Sequence, residues 1–314
     1  MVGCQAWDEA VARAHVLALA ARPTPSTHDV HWVERAQALL APLFHAAALA
    51  GGDLAVVLSW LHRRELVVPL SLLSDKGAGR AADLLAGVAH TDGRELSGIF
   101  STADGLLSAY RTDAALQAAR DPNFDAAAFV VGTDTVYLCA PASAQALHAP
   151  LVVALLDQVR SAVYRAQPSP PMLFALDEVA QIAPLPDLAS TVAEGGSQGL
   201  VVMACLQDLS QARARWGVAA EGFLTLFTHK VVLPGIADLA TLRSVSALAG
   251  EVDVMVESVT VNWDVVLPKD HSRTYSTRRQ PRLPVDAVAR FSPGNALLIS
   301  GTNLSWVRLP PVRP

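Results

Sequence analysis

The sequence predicts an α/β core preceded by an all-helical block, and three observations carry that prediction. Residues 5–125 hold helical spacing of apolar residues with no convincing period-two strand. From Asp121-Pro122 onward, short β-rich apolar runs alternate with helical stretches, the pattern of a parallel sheet covered on both faces. One of those runs ends in two adjacent acids, Asp177-Glu178.

The helical block is expected to span residues 1–125. Trp7 to Ala21 is rich in Ala and Leu at helical spacing, and Pro23-Thr24-Pro25 breaks it. Thr27 or Asp29 is placed to cap the next helix, through Trp32, Ala36, Leu39 and Leu40. Further helices are expected near 53–63, 78–90, 94–110 and 112–120, separated by Gly or Asp. The α/β core is expected over 126–314. Residues 128–131 and 135–139 read as short strands joined by Gly132-Thr133-Asp134, and Pro150 as the first turn of a helix to Arg165. Strands follow at 172–176, 200–205 and 229–233, with helices near 187–194, 208–216 and 238–249. Weaker strands at 254–261 and 296–300 are expected to extend the sheet edge.

Composition narrows the function classes. The 314 residues are 52% hydrophobic and 17% charged, which excludes disorder. Two causes fit that apolar bias: surface hidden against another chain, or GC-rich coding, because only three of the 24 basic residues are lysines. A net charge of −5 gives no global attraction to nucleic acid or anionic lipid, so any DNA contact is local. Arg94, Arg111, Arg120 and the pair Arg278-Arg279 are the candidates, against a solvated-surface role. Cys4, Cys139 and Cys205 stand far apart and suit structural thiols in a reducing compartment. The apolar stretch 36–60 is interrupted by Pro42, His45, Gly51-Gly52 and Asp53, so membrane attachment is expected outside this chain.

The strongest local chemistry lies at Met172-Leu173-Phe174-Ala175-Leu176-Asp177-Glu178. A buried strand ending in Asp-Glu is the Walker B arrangement, in which one acid holds Mg²⁺ through water and the other polarises the attacking water. A strand-end acid capping the next helix gives the same letters. Gln207, just past the next strand, suits a γ-phosphate-sensing amide or a strand-end cap. Gly195-Gly196-Ser197-Gln198-Gly199 fits the nucleophile elbow of hydrolases in letters, but its helix-then-strand order reverses what an elbow requires. His28 and His31, at i and i+3, share one helical side only if the helix already includes residue 28, and no third ligand is near in sequence, which favours packing or surface roles.

The run from Leu176-Asp177-Glu178-Val179 to Pro186-Asp187-Leu188 resembles the segment after Walker B in conjugative type IV secretion coupling proteins, the TraG/TraD family. Gly199-Leu200-Val201-Val202 through Leu206-Gln207-Asp208-Leu209-Ser210-Gln211-Ala212, with Arg215-Trp216-Gly217, resembles it too, as does Thr228 to Gly250. The likeness covers about 126–310, the C-terminal TraM-recognition region. The actinobacterial-like branch also resembles residues 7–125, where the family inserts an all-α domain. The resemblance implies a RecA-like hexameric ATPase, held at the cytoplasmic membrane by an N-terminal anchor, that feeds DNA and a bound relaxase or relaxosome accessory protein into a secretion channel. It implies ATP and Mg²⁺ as cofactors, Asp177 as the Mg²⁺-linked acid, Glu178 as the catalytic carboxylate and Gln207 as the phosphate sensor.

Two departures qualify those expectations. No GxxxxGK[ST] occurs, so the amides and lysine that cradle phosphates are missing, and the chain is expected to begin after that loop and not to hydrolyse ATP alone. Where relatives carry an arginine reaching the neighbouring nucleotide, this sequence has the 195–199 glycine loop, which leaves Arg213 or Arg215 as stand-in arginine fingers. The alternative is a non-catalytic truncated paralogue that binds relaxase or channel proteins.

Overall fold

The computed structural model describes residues 3–21, 27–120, 122–264 and 267–310, and the chain divides into two compact units. The first comprises residues 1–206 with 215–217, and the second 207–214 with 218–314.

The first unit begins with seven helices: α1 (Trp7–Ala21), α2 (Thr27–Leu49), α3 (Leu54–Arg63), α4 (Val67–Asp75), α5 (Gly79–Ala89), α6 (Gly93–Leu106) and α7 (Asp113–Arg120). Local chemistry sets several boundaries. Asp53 accepts the N–H groups of Ala55 and Val56 at the start of α3, and Asp92 those of Arg94 and Glu95 at the start of α6. α2 packs against α1, α4, α5 and α6, burying Leu39, Leu40, Leu43 and Phe44 completely. The cap expected from the Thr27 or Asp29 side chain lies outside the described residues. Pro42 does not interrupt α2, which runs through it, and α4 had no counterpart in the sequence reading.

Residues 128–131 are not a strand. They fall in and just after a short helix, α8 (Ala126–Val130), because Asp125 caps it through the N–H groups of Ala127 and Ala128, and three alanines favour the helix over the β-prone Phe129-Val130-Val131. Residues 135–139 form no strand either, and Tyr137 is 84% exposed. β-propensity reflects fit to a half-buried pleated surface, and no described strand pairs with this segment to supply one. α9 (Gln145–Ala166) starts earlier than expected and carries Pro150 inside rather than in its first turn. The segment 142–166 is, among the described residues, the one helical stretch long and apolar enough to cross a membrane by length and composition, yet α9 buries Val153, Leu156, Val159 and Val163 and packs on α1 and α8. The unit continues with β1 (Met172–Leu176), α10 (Leu188–Gly195) and β2 (Leu200–Ala204), with β1 and β2 parallel.

Past β2 the chain forms α11 (Leu209–Trp216), α12 (Phe223–Leu226), β3 (His229–Val232) and α13 (Leu239–Ala249). Next come β4 (Glu251–Asp264), β5 (Leu267–Pro281), α14 (Val285–Ala289), β6 (Asn295–Ser300) and β7 (Asn303–Arg308). In the second unit β3, β6 and β7 form an antiparallel sheet in the order β3-β6-β7. Val232, Leu242, Val245, Val288, Leu297 and Ile299 form its core. The parallel pairing expected throughout is therefore confined, among the described strands, to β1 and β2. β4 does not extend that sheet; among the described strands it pairs with β5 alone, in a separate two-stranded ribbon.

Candidate functional site

The parallel register from Met172 opposite Leu200 to Leu176 opposite Ala204 brings the carboxyl ends of β1 and β2 to one edge, where ligands bind in open α/β sheets. The pairing continues past the strands: the Cys205 N–H donates to the Leu176 carbonyl (2.9 Å), and the Val179 N–H donates to the Cys205 carbonyl (3.2 Å). Asp177 and Glu178 are the two residues held between those bonds. Val179 is wholly buried behind them, and the Glu178 carbonyl accepts the N–H groups of Gln181 (2.8 Å) and Ile182 (3.2 Å). The acid pair thus sits on a turn fixed from behind.

Glu178 has φ of 46°, in the left-handed region that non-glycine residues rarely occupy. Such conformations cost about 1–3 kcal/mol and gather at functional sites. Asp177 is exposed, and its Oδ1 accepts the Glu178 N–H at 3.0 Å. Burial pushes the Cys205 thiol up, and the Asp177 carboxylate adds to that shift. Asp177 does not cap the next helix: α10 begins eleven residues later, after Asp187. The pair offers hard, solvent-open carboxylate oxygens suited to a hydrated Mg²⁺. Among the described residues no group of three or more His, Cys, Asp or Glu side chains is placed to hold a metal by itself.

Two residues that sequence reasoning left without a role hold the segment that follows this turn. Arg160 of α9 donates to Asp187 and to Thr191 (2.9 Å) and bridges Asp157 (2.5 Å), tying the start of α10 to α9. Burial alone would lower the Arg160 guanidinium, but Asp187 and Asp157 carry it above its usual value. Trp216 donates its Nε1–H to the Leu185 carbonyl (2.7 Å), fixing the loop whose Ala183, Leu185 and Leu188 are buried. The spacing of Arg160 and Asp187, 27 residues apart, gives no local signal for the pair.

The other predicted site residues stand elsewhere. Gln207 begins the second unit, is exposed, and has its backbone N–H taken by Gln211 Oε1 at 3.2 Å. Arg213 donates to Asp238 at 2.8 Å within the second unit. Arg215, counted with the first unit, is half-buried, and burial lowers its guanidinium to about 10. Among the DNA candidates, Arg111 pairs with Asp104, Arg120 with Asp53 (2.6 Å) and Arg279 with Glu251 (2.8 Å). Arg94 and Arg278 are exposed. His31 meets Glu95 at 3.4 Å, while the side chain of His28 lies outside the described residues.

The 195–199 loop is the turn from α10 into β2, the reverse of an elbow's strand-then-helix order, and Ser197 donates its hydroxyl to the Glu194 carbonyl (2.8 Å). Its glycines answer to crowding. A Cβ on Gly195 would lie 2.9 Å from the Leu200 carbonyl oxygen, and Gly199 has φ of +82° against Pro168.

The fold these elements make is the RecA-like α/β fold. It is similar to the bacterial conjugative coupling protein TrwBΔN70 in its unbound monoclinic form, with TM-score 0.72 and 19% identity over 96% of this chain and 68% of that chain. Complexes of TrwB with the GTP analogue GDPNP (TM-score 0.70, 19% identity, 96% and 68% covered) and with ADP and Mg²⁺ (0.70, 19%, 96% and 67%) are similar as well. No curated protein sequence matches the chain. Residues 171–293 match the family model described as the TraM recognition site of TraD and TraG.

Proposed function

We propose that this chain is the C-terminal part of a DNA-translocating ATPase that couples DNA and a relaxosome protein to a type IV secretion channel during conjugation. The observation that carries the reading is the acid pair at the end of β1. It lies inside the family-matched region, and Glu178 is held at positive φ between two backbone bonds to Cys205. In this reading Asp177 anchors Mg²⁺ through water, Glu178 polarises the attacking water, and Gln207 reports the γ-phosphate. ATP and Mg²⁺ are the expected ligands, in keeping with the nucleotide complexes of TrwB.

Phosphate binding needs a cradle of amides and a lysine that these 314 residues do not contain, so turnover requires a P-loop from other polypeptide. The apolar outer face of β1 and β2 supports that need: Leu173 is 55% exposed, Val201 48% and Met203 53%. Residues 1–125 are read as the inserted domain that meets DNA or cargo. The assembled motor is read as a hexamer at the cytoplasmic face of the membrane, with Arg213 or Arg215 reaching a neighbouring nucleotide.

The test is plasmid transfer from donor cells carrying Glu178→Gln in the intact gene product, with its mass verified. Loss of an electrostatic contributor to phosphoryl transfer lowers rate by about 10²–10³-fold, and transfer frequency is expected to fall accordingly. Transfer at the parental frequency would remove catalysis from the reading and leave the chain a binding module for relaxase or channel proteins.

A further inference from the structure

The ribbon of β4 and β5 is long for a sheet with no third strand among the described residues. Its strands run 14 and 15 residues, whereas globular strands usually run about 5–6, and an isolated two-stranded ribbon is marginally stable in water. Of residues 251–260 only Val256 is not exposed, and Met255 is 74% exposed. Its base is closed by the Arg282 N–H donating to the Gly250 carbonyl at 2.8 Å, and β5 touches α13 there. Beyond that base neither edge pairs with another described strand, and a free edge templates pairing with another chain.

The charges divide largely by strand. β4 carries Glu251, Asp253, Glu257 and Asp264 and no base, whereas β5 carries Lys269, Arg273, Arg278 and Arg279 with the single acid Asp270. Within the ribbon Arg279 meets Glu251 at 2.8 Å and Arg273 meets Glu257 at 3.3 Å. Like charges directly opposite on paired strands destabilise, so β4 repels a second β4 and β5 a second β5. Only β4 against β5 is favoured. The ribbon's acids and bases nearly cancel, which gives little electrostatic drive toward a phosphate backbone.

We infer that the ribbon is an assembly arm whose β4 edge pairs with the β5 edge of a second copy of this chain. The contact is head to tail, so it leaves one free edge at each end and propagates to a ring or a filament according to its rotation. It is independent of nucleotide chemistry and stands or falls without Glu178.

The test compares the parent chain with a charge-exchanged variant that combines Glu251→Arg, Asp253→Arg, Glu257→Arg, Arg273→Glu, Arg278→Glu and Arg279→Glu. The exchange keeps opposite charges across the ribbon, so its fold is preserved. Each protein is expected to self-associate in sedimentation velocity, more weakly at high salt, and without DNA. Differently tagged parent and variant are expected to co-assemble at least about tenfold less than parent with parent, a difference of about 1.4 kcal/mol. A third variant joins Gly250 to Arg282 through a short turn and is expected to be monomeric. Equal mixing of parent and variant, association that survives ribbon removal, a parent monomeric at about 100 μM (an affinity worse than about −5.5 kcal/mol), or assembly only on added DNA would each overturn the inference.

Discussion

The helical block of the first unit and the strands of the whole chain treat apolar residues in opposite ways. In the block, Leu39, Leu40, Leu43, Phe44, Leu73, Leu85 and Ile99 are wholly buried, and the caps at Asp53 and Asp92 satisfy the helix ends locally. Along the strands, Leu173, Val201, Met203, Val231 and Met255 stand about half or more exposed. A helix bundle closes on itself because each helix offers one apolar stripe to the others. A short sheet offers two faces and two edges and needs covering layers on each. The difference teaches that the block completes its own core within this chain, while the strand regions present surface suited to further protein.

The largest effect that tests this contrast is expected at Phe44. Phe44→Ala empties a fully buried position in the C-terminal half of α2 and should cost about 3–5 kcal/mol, read as a lowered urea midpoint at unchanged slope. A cost below about 1 kcal/mol would mean the block relaxes around the cavity and is not the rigid half of the comparison.

Such a core was legible in the sequence because helical periodicity and capping are local. The helices at 7–21, 54–63, 79–89 and 113–120 lie close to where spacing and Asp or Gly punctuation placed them. The strands at 172–176, 200–204 and 229–232 were legible for the same reason, as short β-rich runs bounded by turn residues. Their pairing was not. Alternation with helices suggested a parallel sheet, yet β3 pairs with β6, 66 residues further on, in antiparallel register. β5 was missed because Arg273-Thr274-Tyr275-Ser276-Thr277-Arg278-Arg279 has no apolar alternation; its strand exists through cross-strand partners such as Glu251 and Glu257. At the candidate site the acid pair could be read directly. The positive φ of Glu178 and the Arg160 tie to Asp187 depend on contacts distant in sequence and could not.

An intermediate effect is expected within the second unit, where local capping works as it does in the helical block. Asp238 caps α13: its Oδ2 accepts the Thr241 hydroxyl (2.5 Å) and N–H (2.9 Å) as well as Arg213. Those bonds to Thr241, aided by Arg213, hold the Asp238 carboxyl at about 2. A carboxyl lowered on folding stabilises fully above its unfolded value, near 3.9, and loses that contribution as pH falls through about 2. Acid unfolding of the parent and of Asp238→Asn should therefore differ most near neutrality and converge toward pH 2. Parallel curves at all pH values would show that the cap does not depend on the carboxylate charge.

The smallest effect is expected on the outer face of β1 and β2, and it decides the other half of the comparison. Leu173→Ser and Met203→Ser alter half-exposed side chains on a face that no described residue covers fully, so each should shift stability by no more than about 0.5 kcal/mol in the isolated chain. The same changes in the intact gene product should cost far more if other polypeptide packs there, because about 25 cal/mol is lost per Å² of apolar area no longer buried. Equal, negligible costs in both settings would mean the face stays open to water in the working protein. The bare sheet would then be an ordinary exposed surface, and the need for a completing half would rest on the phosphate cradle alone.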